Sequence, residues 1–457
     1  MKLKLNLSKF AGVLFIAFLV TIFVAKMFQI LVLMYAGILC AAVGICLADD
    51  NQRVGACLLL LPNIRMFDGL SISFLVNILL VLPVIAYILE HRRVNFVALS
   101  HCMMFAAWDI CHVLFFNQLS RLLPNLSTIV VLYYVECVLI DRSTYICFDD
   151  VSRKFAFGCI YSAFVSWIVM SYNFSFEYAW ARISAWRLSG YAGDPNYFAL
   201  YVCISLAMLL SQKYHLKRDY VYVFLLIALA LLTTSKMSLI ILLVIFLFFA
   251  GKALYSFLAN RNRFLRRLTV IGIAVAMLFS AQIADLINGV LTRFQEHNGT
   301  AVTTDTITSN RLKIMTFYLQ ETLTQPMLLL FGYGLQYNET PDYTSFFHIA
   351  HNTFLDVVLS WGLVGLGMMV IVFYYMVCHM NRIRREKLTA NHFFPMTVCA
   401  LSFLSLSCFS STMFWWTICA VMLPLKGLEI DENSPYFRSH SGVQRRKLRL
   451  RVRRVAS

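Results

Sequence analysis

Charge is scarce in this sequence. Asp, Glu, Lys and Arg make up 14% of its 457 residues, where a soluble chain carries roughly 25%. That shortage excludes a soluble fold and a disordered chain. The ten-residue alternation of a membrane β-barrel is also missing. No CxxC pair occurs among the 13 cysteines, and most of these lie inside apolar runs, as Cys40, Cys57, Cys203 and Cys399 do. They read as small buried hydrophobes rather than zinc ligands, redox centres or a disulfide framework. No Gly-rich nucleotide loop, no metal-binding carboxylate pair and no internal repeat is visible. Lys2, Lys4 and Lys9 precede an apolar run, but bulky Phe23 spoils the cleavage site after Ala25. The first run therefore reads as a retained span rather than a removed signal.

Long apolar runs fill the space left by charge. Apolar residues make up 60% of the chain and its mean hydropathy is +0.72. Runs occur at 10–25, 27–48, 54–64, 70–89, 94–116, 126–140, 155–172, 197–211, 220–234, 237–250, 268–287, 353–377, 395–409 and 412–425. Several are shorter than the ~20 residues of a full span. The run 54–64 is the weakest, and 395–425 also reads as one bent hairpin. The pattern predicts an all-α polytopic membrane protein of about 12–14 transmembrane helices over 1–425, followed by a basic tail, 426–457.

The net charge of +16 is topological rather than a nucleic-acid footprint. With the N-terminus inside, 30 of the 39 Lys and Arg residues fall on the inner side, as the positive-inside rule demands. Both termini are then cytoplasmic, and the arm Arg445–Arg454 suits anionic lipid heads. The outer loops 173–196 and 288–352 are the substantial ones.

Nine cations remain outside: Lys26, Arg65, Arg121, Arg182, Arg187, Lys236, Arg293, Arg311 and Lys313. Each runs against the insertion bias. Arg182 and Arg187 lie beside Trp180 and Trp186, ahead of Gly190, Gly193 and Asp194-Pro195-Asn196. Asp194 with Pro195 reads as a cap and first turn launching a span. The two arginines suit either phosphate, by a bidentate fork, or loop anchoring. Lys236, in a tight outer turn, suits a snorkelling anchor or a functional charge. Residues 308–320 read as an amphipathic helix capped by Ser309 or Asn310, with Leu312, Met315, Leu319 and Leu323 on its apolar face. Arg311 sits in its first turn, an end that cations usually avoid and anions favour. His348 and His351 close the loop. Histidine suits proton transfer near neutrality, or a simpler interfacial hydrogen bond; no further residues complete a metal set. A rival constellation, His101, Asp109 and His112 on one span, suits a transporter's proton relay or mutual satisfaction inside a bundle.

In this order the pieces resemble the O-antigen ligase and O-antigen polymerase superfamily, over roughly 180–375. Arg187…Gly190…Asp194-Pro195-Asn196 looks like the family's Arg…Gly…(Asp/Asn)-Pro-Asn stretch. Ser235-Lys236 stands where the family usually has Ser-Arg, which keeps the charge and loses the fork. Arg311 followed by Phe331-Gly-Tyr-Gly334 looks like its Arg…Gly-x-Gly segment. His351-Asn352, with Gly362 and Gly365, looks like its His-Asn-x-x-Leu…Gly-x-x-Gly segment. Arg182 and Gly193 fit an Arg-ten residues-Gly pattern of the polymerases.

The resemblance implies a GT-C-like membrane glycosyltransferase of the bacterial inner membrane, working at the periplasmic face. Its donor would be a glycan on undecaprenyl diphosphate, and the transfer would be metal-independent and inverting, without a cofactor. Arg182, Arg187, Lys236 and Arg311 would hold the diphosphate and His351 would act as base. Gly190, Asp194, Asn196 and Asn352 would support them. Expected partners are the acceptor glycan lipid and a chain-length regulator. Polymerisation of lipid-linked repeat units is the expected activity, with ligation to lipid A-core as the alternative and a lipid-linked oligosaccharide flippase as a third class.

Overall fold

A computed structural model describes residues 2–67, 73–116, 119, 122–141, 144–179, 187–212, 215–258, 311–334, 350–384, 388–409 and 412–426. No strand occurs among them. The helices are α1 (Lys2–Phe28), α2 (Leu31–Leu47), α3 (Asp50–Leu60), α4 (Ser73–His91), α5 (Phe96–Phe115), α6 (Leu122–Ile140), α7 (Phe148–Asn173), α8 (Pro195–Ser211), α9 (Lys217–Leu232) and α10 (Lys236–Leu258). They continue as α11 (Arg311–Thr324), α12 (Pro326–Phe331), α13 (Thr353–Ile383), α14 (Ala390–Phe403) and α15 (Thr412–Lys426). A 3-10 helix, Leu61–Phe67, prolongs α3. The expected span 268–287 and the cationic tail lie outside the described residues.

Among the described residues, four helices are long and apolar enough to cross a membrane: Leu7–Phe28, Phe96–Phe115, Phe148–Asn173 and Thr353–Ile383. Six shorter apolar helices accompany them. Their apolar residues do not all turn inward. On α1, Phe18, Ile22 and Ala25 are buried, while Phe10, Val13, Ile16 and Val20 are exposed. Helices apolar all round belong in lipid, so the protein is an all-α polytopic membrane protein.

α1 packs on α2, α3 on α7, α5 on α6, and α8 on α7, α9 and α14, while α15 lies against α6. Large aromatics fill the centre. Phe105 stacks on Trp361 with ring centroids 4.9 Å apart, and Trp361 meets Phe409 edge-on. The weak run 54–64 is a helix of 11 residues plus the 3-10 turn, and in 395–425 one helix ends at Phe403 and another begins at Thr412.

Polar networks gather at the two ends of the bundle. At one end buried Arg53 donates to Asp50 Oδ1 (3.0 Å), Glu90 Oε2 (2.8 Å) and Ile45 O (3.1 Å). His91 Nε2 lies 3.0 Å from Asp50 Oδ2. This Asp–Glu–His group has its donor atoms within 4.8 Å of one another, and the Arg53 guanidinium supplies its cation. Nearby, Arg153 grips Asp219 through two bonds of 2.8 and 2.9 Å. Lys426 donates to Asp141 O and Thr144 O, both at 2.9 Å, in the chain that leaves α6. The opposite end carries residues that the positive-inside reading places outside.

Candidate active site

The turn that precedes α8 forms the centre of this opposite end. Arg187, Gly190 and Gly193 take φ of +72°, +52° and +82°, so the chain doubles back tightly. Asp194 caps α8, accepting from Asn196 N (2.6 Å) and Tyr197 N (3.3 Å), with Pro195 in the first helical position. The expected cap is borne out.

A second turn, between α9 and α10, lies against the first. Leu188 N donates to Leu232 O at 3.2 Å. Arg187 Nε donates to Thr233 O (2.9 Å) and Arg187 Nη2 to Asn196 Oδ1 (3.0 Å). Ser235 Oγ donates to the same Asn196 oxygen at 3.0 Å. One amide oxygen therefore ties Arg187 to the Ser235-Lys236 pair. Lys236 lies within electrostatic reach of both Arg187 and Arg311.

Arg311 is the first residue of α11. It is half-buried, donates from Nη1 to Ser405 O at 2.6 Å, and lies near the Asp194 charge and the Tyr197 phenol. Tyr197 OH in turn donates to Ser407 O. The face of α11 that packs inward is a different one from the predicted leucine stripe. Ile314, Tyr318 and Thr322 are buried, the first two against Tyr333, Ala350 and Leu359. Met315 is half-buried, while Leu319 and Leu323 are 50% and 59% exposed. Tyr and Thr turn inward because Thr322 Oγ1 can bond Tyr318 O within the helix at 2.6 Å. The leucines form a separate outward stripe. Leu312's side chain, Ser309 and Asn310 lie outside the described residues.

His351 takes φ +54° just before α13. Burial, and secondly the neighbouring Arg311 charge, hold its imidazole below the usual histidine range, with Asp194 pulling weakly the other way. Asn352 caps α13 by accepting from Leu355 N (3.0 Å), and its Nδ2 donates to Leu404 O (3.3 Å). α13 then breaks at Gly362, φ +67°. The carbonyls freed there are taken by the Gly-x-Gly segment: Tyr333 N donates to Leu359 O (2.7 Å) and Gly334 N to Ser360 O (2.8 Å). A Cβ on Gly362 would stand 2.2 Å from Leu330 O, and one on Gly332 would stand 2.5 Å from Ser360 O.

The fold thus brings Arg187, Lys236, Arg311 and His351 from four separate segments onto the Gly190–Asn196 turn. Arg182 and His348 lie outside the described residues. Arg65 reaches this turn too, while Ser405 O accepts from Arg311 and Ser407 O from Tyr197. Arg65 was legible as an outer cation; the two serines gave no signal among many. The proposed relay does not assemble as one unit. His101 Nδ1 lies 2.7 Å from Glu136 Oε1, whereas the His112 nitrogens lie 2.9 and 2.6 Å from Trp108 O and Phe331 O. Asp109 accepts from Asn125 Nδ2 at 3.3 Å. Each of these groups has a partner within the bundle, although Asp109 Oδ2 and Glu136 Oε2 are buried without one.

Residues 221–370 match the family Wzy_C, O-antigen ligase. The match includes Lys236, Arg311 and His351 and stops short of the Arg187 turn. No curated protein matches the chain.

Proposed function

We propose that this chain, which residues 221–370 place in the O-antigen ligase and polymerase superfamily of glycosyl-transferring membrane enzymes, polymerises lipid-linked repeat units into a surface polysaccharide. The observation that carries the reading is the convergence of Arg187, Lys236, Arg311 and His351 on one turn. The donor is a glycan on undecaprenyl diphosphate, and the site faces the periplasm with both termini in the cytoplasm.

A hydroxyl oxygen of the acceptor sugar attacks the donor's anomeric carbon from the face opposite the diphosphate. The new C–O bond forms as the bond to the diphosphate oxygen breaks, which inverts the carbon. The electron pair leaves on the diphosphate. Arg187, Lys236 and Arg311, with Arg182 from the same loop, stabilise that growing charge where it develops. His351, held neutral by burial and by Arg311, takes the hydroxyl proton, a contribution of about 10²–10⁴-fold. Asn352 fixes the start of α13 beside it. The chemistry needs no metal. The outward stripe of Leu319 and Leu323 suits the lipid tail or the bilayer surface.

Ligation to lipid A-core is the second reading, and the matched family's description favours it. The Arg182/Gly193 spacing favours polymerisation. Purified protein in detergent, supplied with lipid-linked repeat units alone, should yield chains of several units. Transfer only on addition of lipid A-core would replace polymerisation by ligation.

A further inference from the structure

Arg65 ends the 3-10 helix 61–67, far in sequence from residues 221–370. Its backbone N–H donates to Tyr191 O at 2.9 Å. The same turn is held from below, where Tyr191 N donates to Ser162 Oγ (2.7 Å) and Ser162 Oγ to Pro62 O (2.6 Å). The Arg65 side chain lies across the α-carbon of Gly193. A Cβ on Gly193 would fall 2.0 Å from Arg65 Cδ, 2.4 Å from Nε and 2.7 Å from Cζ. Arg65 is otherwise exposed. Tyr197 lies near both Asp194 and Arg65, and Arg311 lies near Asp194 and Tyr197.

We propose that Arg65 is a fourth cation of the diphosphate site among the described residues, after Arg187, Lys236 and Arg311, and that Gly193 is its seat. The inference rests on the reading above that the site takes a lipid diphosphate. A diphosphate joined at both ends carries about two negative charges, and about three once the sugar has left, its terminal phosphate then titrating near pH 6. A guanidinium on this turn adds positive charge where the transition state gains negative charge. Glycine at 193 is required on two grounds: its φ of +82°, and the guanidinium stem that occupies the place of a side chain.

The test is titration of purified protein in detergent with farnesyl diphosphate, a soluble lipid diphosphate. Arg65→Gln should weaken binding about ten- to hundredfold, and a thermal midpoint measured alongside separates lost affinity from lost fold. Arg65→Lys should keep part of the affinity. Gly193→Ala should lose a comparable amount by displacing the guanidinium. The double variant Arg65→Gln/Gly193→Ala should be no weaker than the poorer single variant. Wild-type affinity in Arg65→Gln overturns the fourth cation, and losses that multiply in the double variant overturn the seat. If Arg187→Ala and Arg311→Ala also bind as wild type does, the diphosphate site itself is wrong. If these two lose binding and Arg65→Gln does not, only the present inference fails.

Discussion

Asn196→Asp separates a structural turn from an anion site. Asn196 Oδ1 accepts from Arg187 Nη2 and from Ser235 Oγ, both at 3.0 Å. Aspartate has the same shape and keeps both acceptor contacts. It strengthens the arginine bond, because a bond between ionised partners is roughly twice as strong as a neutral one. If the turn only braces the fold, the variant should be at least as stable and fully active. An anion site predicts the reverse for function. A phosphate gripped by the far side of the Arg187 guanidinium would stand about 8 Å from the new carboxylate, and at an effective dielectric of about 20 each unit of phosphate charge is then opposed by ~2 kcal/mol. That is about thirtyfold in affinity. The assay pairs a thermal midpoint with farnesyl diphosphate titration of the purified protein. An unchanged or raised midpoint with affinity lowered by at least tenfold is expected. Unchanged affinity together with normal chain synthesis would refute the anion role of the Arg187–Asn196–Ser235 unit.

The remaining predictions concern the base and the kink. His351→Ala should cut turnover by about 10²–10⁴-fold while keeping diphosphate affinity, since cations hold the lipid; near-normal turnover would send the search for a base to Asp194, Glu339 or Asp342. Because burial and Arg311 lower the His351 pKa, the neutral base survives to lower pH, so the acid limb of kcat/KM should fall below pH 6.5. An acid limb at or above that value contradicts the assignment. Gly362→Ala should lower the thermal midpoint and abolish turnover, because a left-handed non-glycine residue costs about 1–3 kcal/mol before the 2.2 Å approach to Leu330 O is counted. Gly367→Ala is its control: nothing lies within 4 Å of the added carbon, and alanine should help the helix by up to about 1 kcal/mol.

The spans were legible because lipid removes water as a competitor, so any helix that crosses must be apolar along its length. Where the sequence signal stopped short, it stopped at charges. The run 155–172 belongs to a helix that begins at Phe148 and carries Asp149, Asp150, Arg153 and Lys154 in its first turns. Hydropathy ends at such residues, whereas the backbone ladder continues through them into the polar network that pairs Arg153 with Asp219. The inner face of α11 was missed for the converse reason. Leucine spacing marks an apolar face but cannot say which of two faces meets protein. Tyr318 and Thr322 took the inner one, because each has an apolar body and a polar tip that can be satisfied locally.

The site divides along a similar line. Its cations stood out because outer Lys and Arg oppose the insertion bias. Their partners did not, because most are backbone oxygens: Thr233 O for Arg187 and Ser405 O for Arg311. A carbonyl has no letter in a sequence. It becomes an acceptor only where a helix ends or breaks, and those places depend on tertiary contacts. Gly362 illustrates this, since its break frees Leu359 O and Ser360 O for a segment some thirty residues earlier. The Gly-x-Gly segment and the distant Gly362 therefore form one joint, each glycine clearing the other's backbone. That joint fixes the direction of α13 above the kink, the half that starts at Asn352 beside His351. A glycine that bears no charge itself thereby sets where the base stands relative to the cations.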